Sequence, residues 1–365
     1  MASDQYAEIC DQLYTQIMRR LENCYKDGTR VGRFAPIGTA QEVLKPEILY
    51  MFFRSLQLPQ IETYDLNLEL NTLVRRPKGL SSLPAKREPL VSIFVDPVTP
   101  DKILSAQACF FPVVICSKDQ DRIESLEREC LPYLEQELRG KGAFGTVYHV
   151  KIAKGHFFFR NLRSANSDPI DIACKDFQSS EDIELEVMQQ ILSCKQTCAN
   201  IAEIYGSLEI GSAGYSIFMP LAIEDLRAHM KDDTRPRPSA TKRTDIILGA
   251  AGVAGGLKFL HKGIDMPLGG KLVCYHMHLK LDNILIFLDK IDDNGKRKPH
   301  YIWKISDFGM SRIRYQDDNE VEWQGTYLAP ESLLPSKSMK TASDVWSLGF
   351  IISVLFTYLA EGTDG

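Results

Sequence analysis

Two side chains with hard oxygen atoms stand at the ends of apolar segments in the second half of the sequence. Lys280 and Asn283 lie just before an apolar segment predicted to be a strand, and Asp307 lies at the end of another, in KISDFG. An amide oxygen and a carboxylate that converge on one point are ligands that suit Mg²⁺. Either residue alone is equally well explained as a turn residue, so a metal site is predicted only if other motifs agree.

A glycine-rich segment of the form GxGxxGxV precedes these residues by more than a hundred positions. It contains Gly140, Gly142, Gly145 and Val147. Glycines let backbone N–H groups approach phosphate oxygens closely, so the segment predicts a phosphate-binding loop. An ordinary glycine-rich hairpin is the alternative. A dinucleotide-binding turn is disfavoured, because residues typical of a strand, and not of a helix, follow it.

A lysine ends the apolar segment Ile172-Ala173-Cys174-Lys175. Burying its ammonium group would be costly unless anionic groups met it. We expect a partner on the following helix, where Glu184 lies at the edge of an apolar stripe. Glu186 is the alternative partner. The residues one and two helical turns after Glu184 are apolar, whereas those at the same spacings after Glu186 are polar.

An apolar segment from Tyr215 to Leu221 leads into Asp225 and is typical of a hinge that offers backbone groups to an adenine ring. The residues predicted to contact the nucleotide here are Phe218, Met219, Leu221 and Asp225.

These motifs occur in one order with GTYLAPE at 325–331 and DVWSLG at 344–349. Over about residues 138–365 the sequence therefore resembles the eukaryotic-type protein kinases, and more loosely fungal proteins with LPY before the glycine loop, here at 131–133. The resemblance implies a two-lobed fold with ATP in the cleft. It also implies that Lys175 contacts the α and β phosphates and is held by Glu184, and that Asn283 and Asp307 carry Mg²⁺. The presence of Lys280 in the predicted catalytic loop resembles the serine/threonine kinases and not the tyrosine kinases.

The catalytic loop departs from the family pattern, because His-Arg-Asp becomes His276-Met277-His278. In active relatives the aspartate accepts the proton of the substrate hydroxyl. Histidine is bulkier and, if protonated, would repel both Mg²⁺ and Lys280. Since general acid–base catalysis contributes about 10² to 10⁴ in rate, we expect severe impairment. Met277 also removes the usual basic partner of a phosphorylated activation loop.

Two differences in length accompany this change. Gly365 lies 34 residues past Glu331, so the sequence predicts an incomplete helical lobe with the apolar helix 345–358 partly uncovered and able to self-associate. A long insertion between Val147 and Lys175 predicts a longer loop in the small sheet.

The elements that must position these residues are predicted from periodicity. Between Tyr6 and Leu21, the apolar residues Ile9, Leu13, Ile17 and Leu21 mark an amphipathic helix, and a second helix is predicted after Thr39. Residues 75–89 contain three prolines without periodicity and predict a linker. The stretch LDKIDDNGKRK is similar to a calcium-binding loop, but Lys290 and Tyr301 would occupy its first and last ligand positions and neither is a calcium ligand. The stretch therefore predicts a hairpin turn.

Composition excludes several classes of protein. A net charge of -5 and a pI near 5.9 argue against nucleic acid or anionic membrane as partners. Nine cysteines without a CxxC pair, and no signal peptide, predict an intracellular protein, cytoplasmic with a nuclear location open. The apolar helix near the end is predicted to be buried and not to span a membrane.

The predicted fold class is α+β, a two-lobed protein-kinase-like fold with a small β-rich N-lobe, a truncated helical C-lobe and a mainly helical N-terminal region. The predicted domains are residues 1–130 and 131–365, the latter with an N-lobe over 131–221 and a C-lobe over 222–365. The leading hypothesis is a serine/threonine kinase homologue that binds ATP and Mg²⁺ with weak or lost phosphotransfer. A pseudokinase scaffold that acts by protein binding is the alternative, and His278 as a working substitute base is a third.

Overall fold

The computed structural model describes most of the chain as two compact units. The first comprises Met1–Gln178 with Gly206–Ser216, and the second comprises Ser179–Tyr205 with Ile217–Gly365. The described residues are 2–43, 98, 108–117, 120–123, 130–142, 145–159, 162–177, 187, 190–191, 197–211, 214–231, 240–262, 264–265, 271–289, 300–315, 329–330 and 341–361.

The first unit begins with a helix and a β-hairpin. Helix α1 (Ala2–Met18) has the predicted stripe, since Ile9 is buried. Strands β1 (Glu22–Lys26) and β2 (Thr29–Phe34) follow, joined by Asp27 and Gly28. Both turn residues have positive φ, 47° and 76°, which is the conformation of a type I′ hairpin turn. Helix α2 (Thr39–Val43) starts where the second helix is predicted, and the rest of that helix lies outside the described residues.

An eight-stranded sheet is the main element of this unit. Its other strands are β4 (Gln120–Ile123), β5 (Tyr133–Gly142), β6 (Gly145–Ile152), β9 (Ile170–Phe177), β10 (Gly206–Ile210) and β11 (Gly214–Pro220). The order is β2-β1-β5-β6-β9-β11-β10-β4. Strand β1 adds to β5 in parallel, and β4 adds to β10 in parallel. Segments that precede the glycine loop in the sequence therefore extend its sheet at both edges.

The join between the hairpin and β5 is fixed by Asp27. Its backbone N–H donates to Gln136 O over 2.8 Å, and its Oδ1 accepts from the backbone N–H of Leu138 over 2.8 Å. One residue thus satisfies two backbone groups at the edge of β5.

The insertion between β6 and β9 forms a small sheet of its own. Strands β7 (Phe157–Phe159) and β8 (Ser164–Ala165) pair with each other, and β7 pairs in parallel with β3 (Ile115–Cys116). Asn166 holds it through three bonds: Oδ1 accepts from Phe157 N–H over 2.9 Å, and Nδ2 donates to Ala153 O and Asp168 O over 3.0 and 2.7 Å. The prediction of a longer loop is therefore wrong, because buried polar groups make the insertion an ordered part of the unit.

His156 is fully buried beneath this small sheet. Its Nδ1–H donates to Val113 O over 3.2 Å, and its Nε2 accepts from the backbone N–H of Ile37 over 3.4 Å. The ring of Phe34 meets it edge-on at 5.4 Å. Burial lowers the pKa of His156, so the neutral imidazole joins three chain segments.

Whether residues 1–130 form a region separate from 131–365 stays a prediction. Besides α1 and α2, the described part of 1–130 contains β1 to β4 and a 3₁₀ turn at Ala108–Phe110. The predicted linker at 75–89 lies outside the described residues.

The second unit combines helices with two three-stranded sheets. Its described helices are α3 (Leu226–Lys231), α4 (Ala240–His261) and α5 (Thr341–Glu361). One sheet pairs β12 (Glu224–Asp225), β15 (Ile284–Asp289) and β16 (His300–Ile305), and the other pairs β13 (Ile264–Asp265), β14 (Lys271–Tyr275) and β17 (Arg312–Tyr315). Antiparallel pairing of β15 with β16 agrees with the predicted hairpin, whose turn lies outside the described residues.

The core of this unit lies between α4, α5 and the β15–β16 strands. It includes Leu257, Leu260, Ile284, Ile305, Phe308 and Ile351. The mixture of sheets and helices confirms the predicted α+β class.

Helix α5 has one buried and one exposed apolar face. Ile351 and Leu355 are buried, whereas Trp346, Phe350 and Phe356 are 53%, 48% and 61% exposed. Its length and composition would allow it to cross a membrane. Its most apolar stretch has a mean hydropathy of 1.5, and 39% of that stretch is buried inside the protein. Core helices of soluble proteins meet the same criterion, and the buried face of α5 packs in the core with α4.

Glycines on one face of α4 allow neighbouring segments to approach closely. A Cβ at Gly249 would lie 2.4 Å from the Trp303 ring, and one at Gly256 would lie 2.9 Å from the backbone oxygen of Asn200. A Cβ at Gly255 would meet nothing within 4 Å. Only the glycines on the packed face of α4 are therefore required for close approach, and Gly255 is not one of them.

The adjacent glycines of α4 give a matched test. We expect Gly255→Ala to raise the free energy of unfolding by about 0.5–1 kcal/mol, because alanine is the better helix former. Gly256→Ala should lower it by roughly 1–3 kcal/mol, because the new methyl meets backbone that cannot rotate away. Urea denaturation measures both, and equal effects of the two changes would contradict this packing.

The buried His156 predicts a pH dependence of stability. Its folded pKa is lowered, whereas in the unfolded chain it is about 6.5. Its contribution to stability is therefore fully present above about pH 6.5 and is lost as the pH falls below that value, since the unfolded chain then binds the proton first.

The measurement is the urea midpoint from about pH 7 to pH 5. The wild type should lose more stability on acidification than His156→Gln does. His300→Gln, at an exposed histidine, is the control and should keep the wild-type slope. Equal slopes for all three proteins would show that His156 is not the titrating group.

Candidate active site

The predicted phosphate loop is the end of the β5–β6 hairpin. Gly140 pairs with Val147, and Gly142 pairs with Gly145 around residues 143–144, which lie outside the described residues. A Cβ at Gly145 would lie 2.6 Å from Asp176 O, so the protein itself requires this glycine. Among the described residues, a Cβ at Gly140 would meet nothing within 4 Å, and the nearest atom to one at Gly142 lies at 3.8 Å. Packing against the described residues therefore does not explain these two glycines.

Lys175 lies on β9 directly opposite Val147 and is buried, with 7% of its surface exposed. Its Nζ sits 5.1 Å from the centre of the Phe177 ring. The side chains of Lys175 and Phe177 lie side by side because alternate residues of a strand point to the same face of the sheet. Glu184 and Glu186 lie outside the described residues, so the predicted helix and its ion pair with Lys175 stay predictions.

The opposite face of β9 carries a polar cluster that the sequence analysis missed. Asp176 Oδ1 accepts from Ser216 Oγ over 2.7 Å and from Cys174 Sγ over 3.3 Å. Cys174 in turn lies 4.0 Å from the hydroxyl of Tyr133. Burial, followed by the charge of Asp176, raises the pKa of the Cys174 thiol, so it stays protonated.

The predicted hinge residues follow on β11 and β12. Phe218 is fully buried, and its carbonyl accepts from Tyr205 N–H over 2.7 Å. Met219 and Leu221 are half-buried. Asp225 Oδ1 accepts from Ala228 N–H over 2.8 Å at the start of α3, which makes Asp225 a helix cap. Contact of these residues with a nucleotide stays a prediction.

The segment His276-Met277 is anchored by a carboxylate from α5. Asp344 is 2% exposed; its Oδ2 accepts from His276 N–H over 2.9 Å, and its Oδ1 accepts from Met277 N–H over 2.7 Å. His261 Nε2 also lies 2.9 Å from Oδ2. Met277 has a positive φ of 64°, which is unfavourable for a side chain of this size. The bonds to Asp344 hold the loop in that conformation.

The imidazole of His276 connects this loop to the segment before Asp307. His276 is fully buried, and its Nε2–H donates to Ser306 O over 2.9 Å. Its ring lies edge-on to Phe308 at 5.1 Å. Burial lowers the pKa of His276 although Asp344 opposes the shift, so it acts as a neutral donor.

His278, Asn283 and Asp307 come together in the second unit. Asn283 Nδ2 donates to the backbone oxygen of His278 over 2.8 Å and lies 3.4 Å from its Nδ1. His278 Nδ1 lies 3.9 Å from Asp307 Oδ2. Ser306 N–H donates to Asn283 O over 2.9 Å, which ties the two predicted metal ligands together through the backbone.

The environment of His278 favours a neutral imidazole. Burial, and then the positive charge of Lys280, lower the pKa of His278, while the carboxylate of Asp307 opposes this shift. The repulsion of a cation by protonated histidine, which the sequence led us to consider, is thereby reduced near neutral pH.

An ion pair next to Asn283 also escaped the sequence analysis. Arg227 Nε donates to Asp282 Oδ1 over 2.7 Å, with both side chains partly exposed. It joins α3 to the 3₁₀ turn Leu281–Asn283. The spacing of 55 residues left no local signal for this pair.

Eight of the predicted site residues fall into two groups. The first unit brings Gly140, Gly142, Gly145, Val147 and Lys175 onto adjoining strands, and the second brings His278 together with Asn283 and Asp307. Within the described residues no three His, Cys, Asp or Glu side chains form a metal-binding group. The predicted cation site therefore depends on the amide of Asn283 as well as on a carboxylate.

Comparison with known proteins finds kinases and a receptor that each match about three fifths of the chain. Among similar proteins of Arabidopsis thaliana, a probable receptor-like protein kinase is 28% identical over 228 residues, covering 61% of this chain and 23% of the relative. Calmodulin-binding receptor-like cytoplasmic kinase 2 is 26% identical and is covered to 48%. A putative molluscan insulin-related peptide receptor of Lymnaea stagnalis is 26% identical and is covered to 13%.

The chain thus spans less than half the length of these relatives. The protein kinase domain family matches residues 133–360, which is more than half of this chain and contains every predicted site residue. The match confirms the predicted kinase-like fold, and the chain belongs to the protein kinase domain family.

Proposed function

We propose that this protein-kinase-domain chain binds ATP with Mg²⁺ and that its transfer of phosphate to serine or threonine is weak or absent. The observation that carries the proposal is the cluster in the second unit. There the predicted metal ligands Asn283 and Asp307 are retained, while His278, at the catalytic position, lies within 3.9 Å of Asp307.

The glycine strands support phosphate binding. Side chains at Gly140 and Gly142 would meet no close neighbour among the described residues, which supports a ligand that approaches the backbone at these positions. Lys175, buried on the neighbouring strand β9, supplies the positive charge that phosphate oxygens require.

The residues of the second unit fit a cation. The Nδ2 of Asn283 is used by the backbone oxygen of His278, so Oδ1 is the atom that this side chain offers to a metal. The carboxylate of Asp307 is the second hard ligand. When bound, Mg²⁺ neutralises charge on the phosphates during transfer.

The same cluster explains why transfer should be weak. The aspartate that accepts the hydroxyl proton in relatives is replaced by His278, whose Nδ1 faces Asn283 and Asp307. Met277, buried next to it, offers no charge to a phosphorylated activation loop. Losing a positioned base removes about 10² to 10⁴ in rate.

The location and partners are part of the same proposal. We infer an intracellular protein, cytoplasmic or nuclear, that binds ATP and neither nucleic acid nor membrane. The acidic net charge of -5 supports this inference.

A second candidate function is a scaffold that acts by binding another protein. The exposed apolar face of α5, with Trp346, Phe350 and Phe356, favours it. Such a face can bind a protein partner or a second copy of the chain. Chemistry at His278 would then be dispensable.

Nucleotide binding can be measured by thermal unfolding. We expect Mg-ATP to stabilise the protein by roughly 2.7 kcal/mol at about 100 times the dissociation constant. The double variant Lys175→Ala with Asp307→Ala should lose this gain, because it lacks both the phosphate and the metal contact. An unchanged melting temperature at millimolar Mg-ATP, or a rise that survives in the double variant, would exclude the proposed binding.

Restoring the carboxylate tests the chemical block. We expect His278→Asp to raise ATP-dependent phosphate transfer to protein by about 10² or more, with little change in ATP affinity, because this position acts on the acceptor hydroxyl. Radiolabel transfer from ATP measures it, with Asp307→Ala added to His278→Asp as the inactive control.

The other outcomes separate the alternatives. A wild type that already turns over and gains nothing from His278→Asp would show that histidine is a working base. If neither form transfers phosphate although both bind Mg-ATP, the scaffold function is favoured.

A further inference from the structure

We propose that His278 is itself a metal ligand and shifts the cation preference of this site from Mg²⁺ towards Mn²⁺. The proposal rests on the nucleotide and cation binding proposed above and adds one residue to the coordinating set. The atom concerned is Nδ1, and its partners are the predicted ligands Asp307 and Asn283.

The hydrogen bonds determine where the lone pair of the imidazole points. Asn283 Nδ2 lies 3.4 Å from His278 Nδ1 and 2.8 Å from the backbone oxygen of the same residue. An amide nitrogen only donates, so His278 Nδ1 faces Asn283 with its lone pair and not with a proton. A cation at Nδ1 would take the place of the long 3.4 Å contact and would leave the 2.8 Å bond from Nδ2 to the backbone oxygen intact.

The distance to Asp307 suits a shared cation. Nδ1 and Asp307 Oδ2 are 3.9 Å apart, which is less than the sum of a metal–nitrogen and a metal–oxygen bond of about 2.1 Å each. One cation can thus reach both atoms without a change in the backbone. It would also relieve the repulsion between a lone pair and a carboxylate that face each other.

The substitution acts unequally on different cations. Replacing a carboxylate by a neutral ring removes one negative charge, which weakens electrostatic attraction for every divalent cation. Mg²⁺ prefers oxygen ligands and gains little from a ring nitrogen. Mn²⁺, and further along the series Co²⁺ and Zn²⁺, bind imidazole more strongly. The loss should therefore be larger for Mg²⁺.

His278 is the histidine in the described part of the loop that is placed for this role. The neighbouring His276 points away, since its Nε2 is bonded to Ser306 O. A second histidine–aspartate pair, His300 with Asp289 at 3.7 Å, lies on the exposed β15–β16 hairpin. This surface pair provides a matched control for adventitious binding.

The direct test is pulsed electron paramagnetic resonance of Mn²⁺ with ADP bound to protein that carries ¹⁵N-labelled histidine. Nitrogen in ADP is ¹⁴N, so a ¹⁵N coupling identifies a histidine ligand. We expect the coupling in the wild type and in His300→Gln, and its loss in His278→Asp. A coupling that persists in His278→Asp, or none in the wild type although Mn²⁺ and ADP are bound, would overturn the proposal.

Cation titrations followed by melting temperature at saturating ADP give a second readout. The ratio of the Mg²⁺ to the Mn²⁺ dissociation constant should be about tenfold or more larger in the wild type than in His278→Asp. Equal ratios with intact binding would reject His278 as a ligand and leave the proposed nucleotide binding standing. Absence of any stabilisation by ADP with either cation would reject both proposals.

Discussion

The buried carboxylate of Asp344 is the interaction on which the arrangement of the catalytic loop depends. It accepts the backbone N–H groups of His276 and Met277 and contacts His261. Each buried N–H left without an acceptor would cost about 1–3 kcal/mol, so the carboxylate keeps Met277 at its unfavourable positive φ. Because His278 follows directly, the direction in which its side chain leaves the loop is set from α5, more than sixty residues later in the sequence.

Further hydrogen bonds connect the segment held by Asp344 to the residues proposed to bind a cation. His276 bonds to Ser306 O, and Ser306 N–H bonds to Asn283 O, so the backbones before Asp307 and around Asn283 move with the loop. The same hydrogen bonds thus hold the backbone next to His278 and the backbones of the proposed cation ligands Asn283 and Asp307. Proposed cation binding depends on side chains beyond position 278, so binding and turnover have to be tested separately.

The first unit is held by polar contacts between segments that lie far apart in the sequence. The hairpin β1–β2 and the strand β4 add to the edges of the sheet that carries the glycine strands and Lys175. Asp27 fixes one join, and His156 fixes the inserted strands to two earlier segments. Edge strands with unpaired backbone groups invite unwanted pairing, and the added strands take up the edges of β5 and β10. The segments before the kinase-like region therefore contribute to the sheet that carries the predicted phosphate loop.

The sequence by itself determined the family and the α+β class, because the motifs around Gly140, Lys175, Asn283 and Asp307 are short and occur in one order. The same motifs predicted the site residues. It also predicted α1 and the start of α2 from apolar periodicity. The Asp-Gly pair at the turn of β1–β2 is a sequence signal for a hairpin, but no hairpin was predicted there. Only the tertiary structure decided that Asp344 anchors His276, that His156 joins three segments, that the insertion is ordered and that the Nδ1 of His278 faces Asp307. Each of these contacts pairs residues far apart in the chain or depends on a side-chain rotamer, and neither leaves a periodic pattern in the sequence.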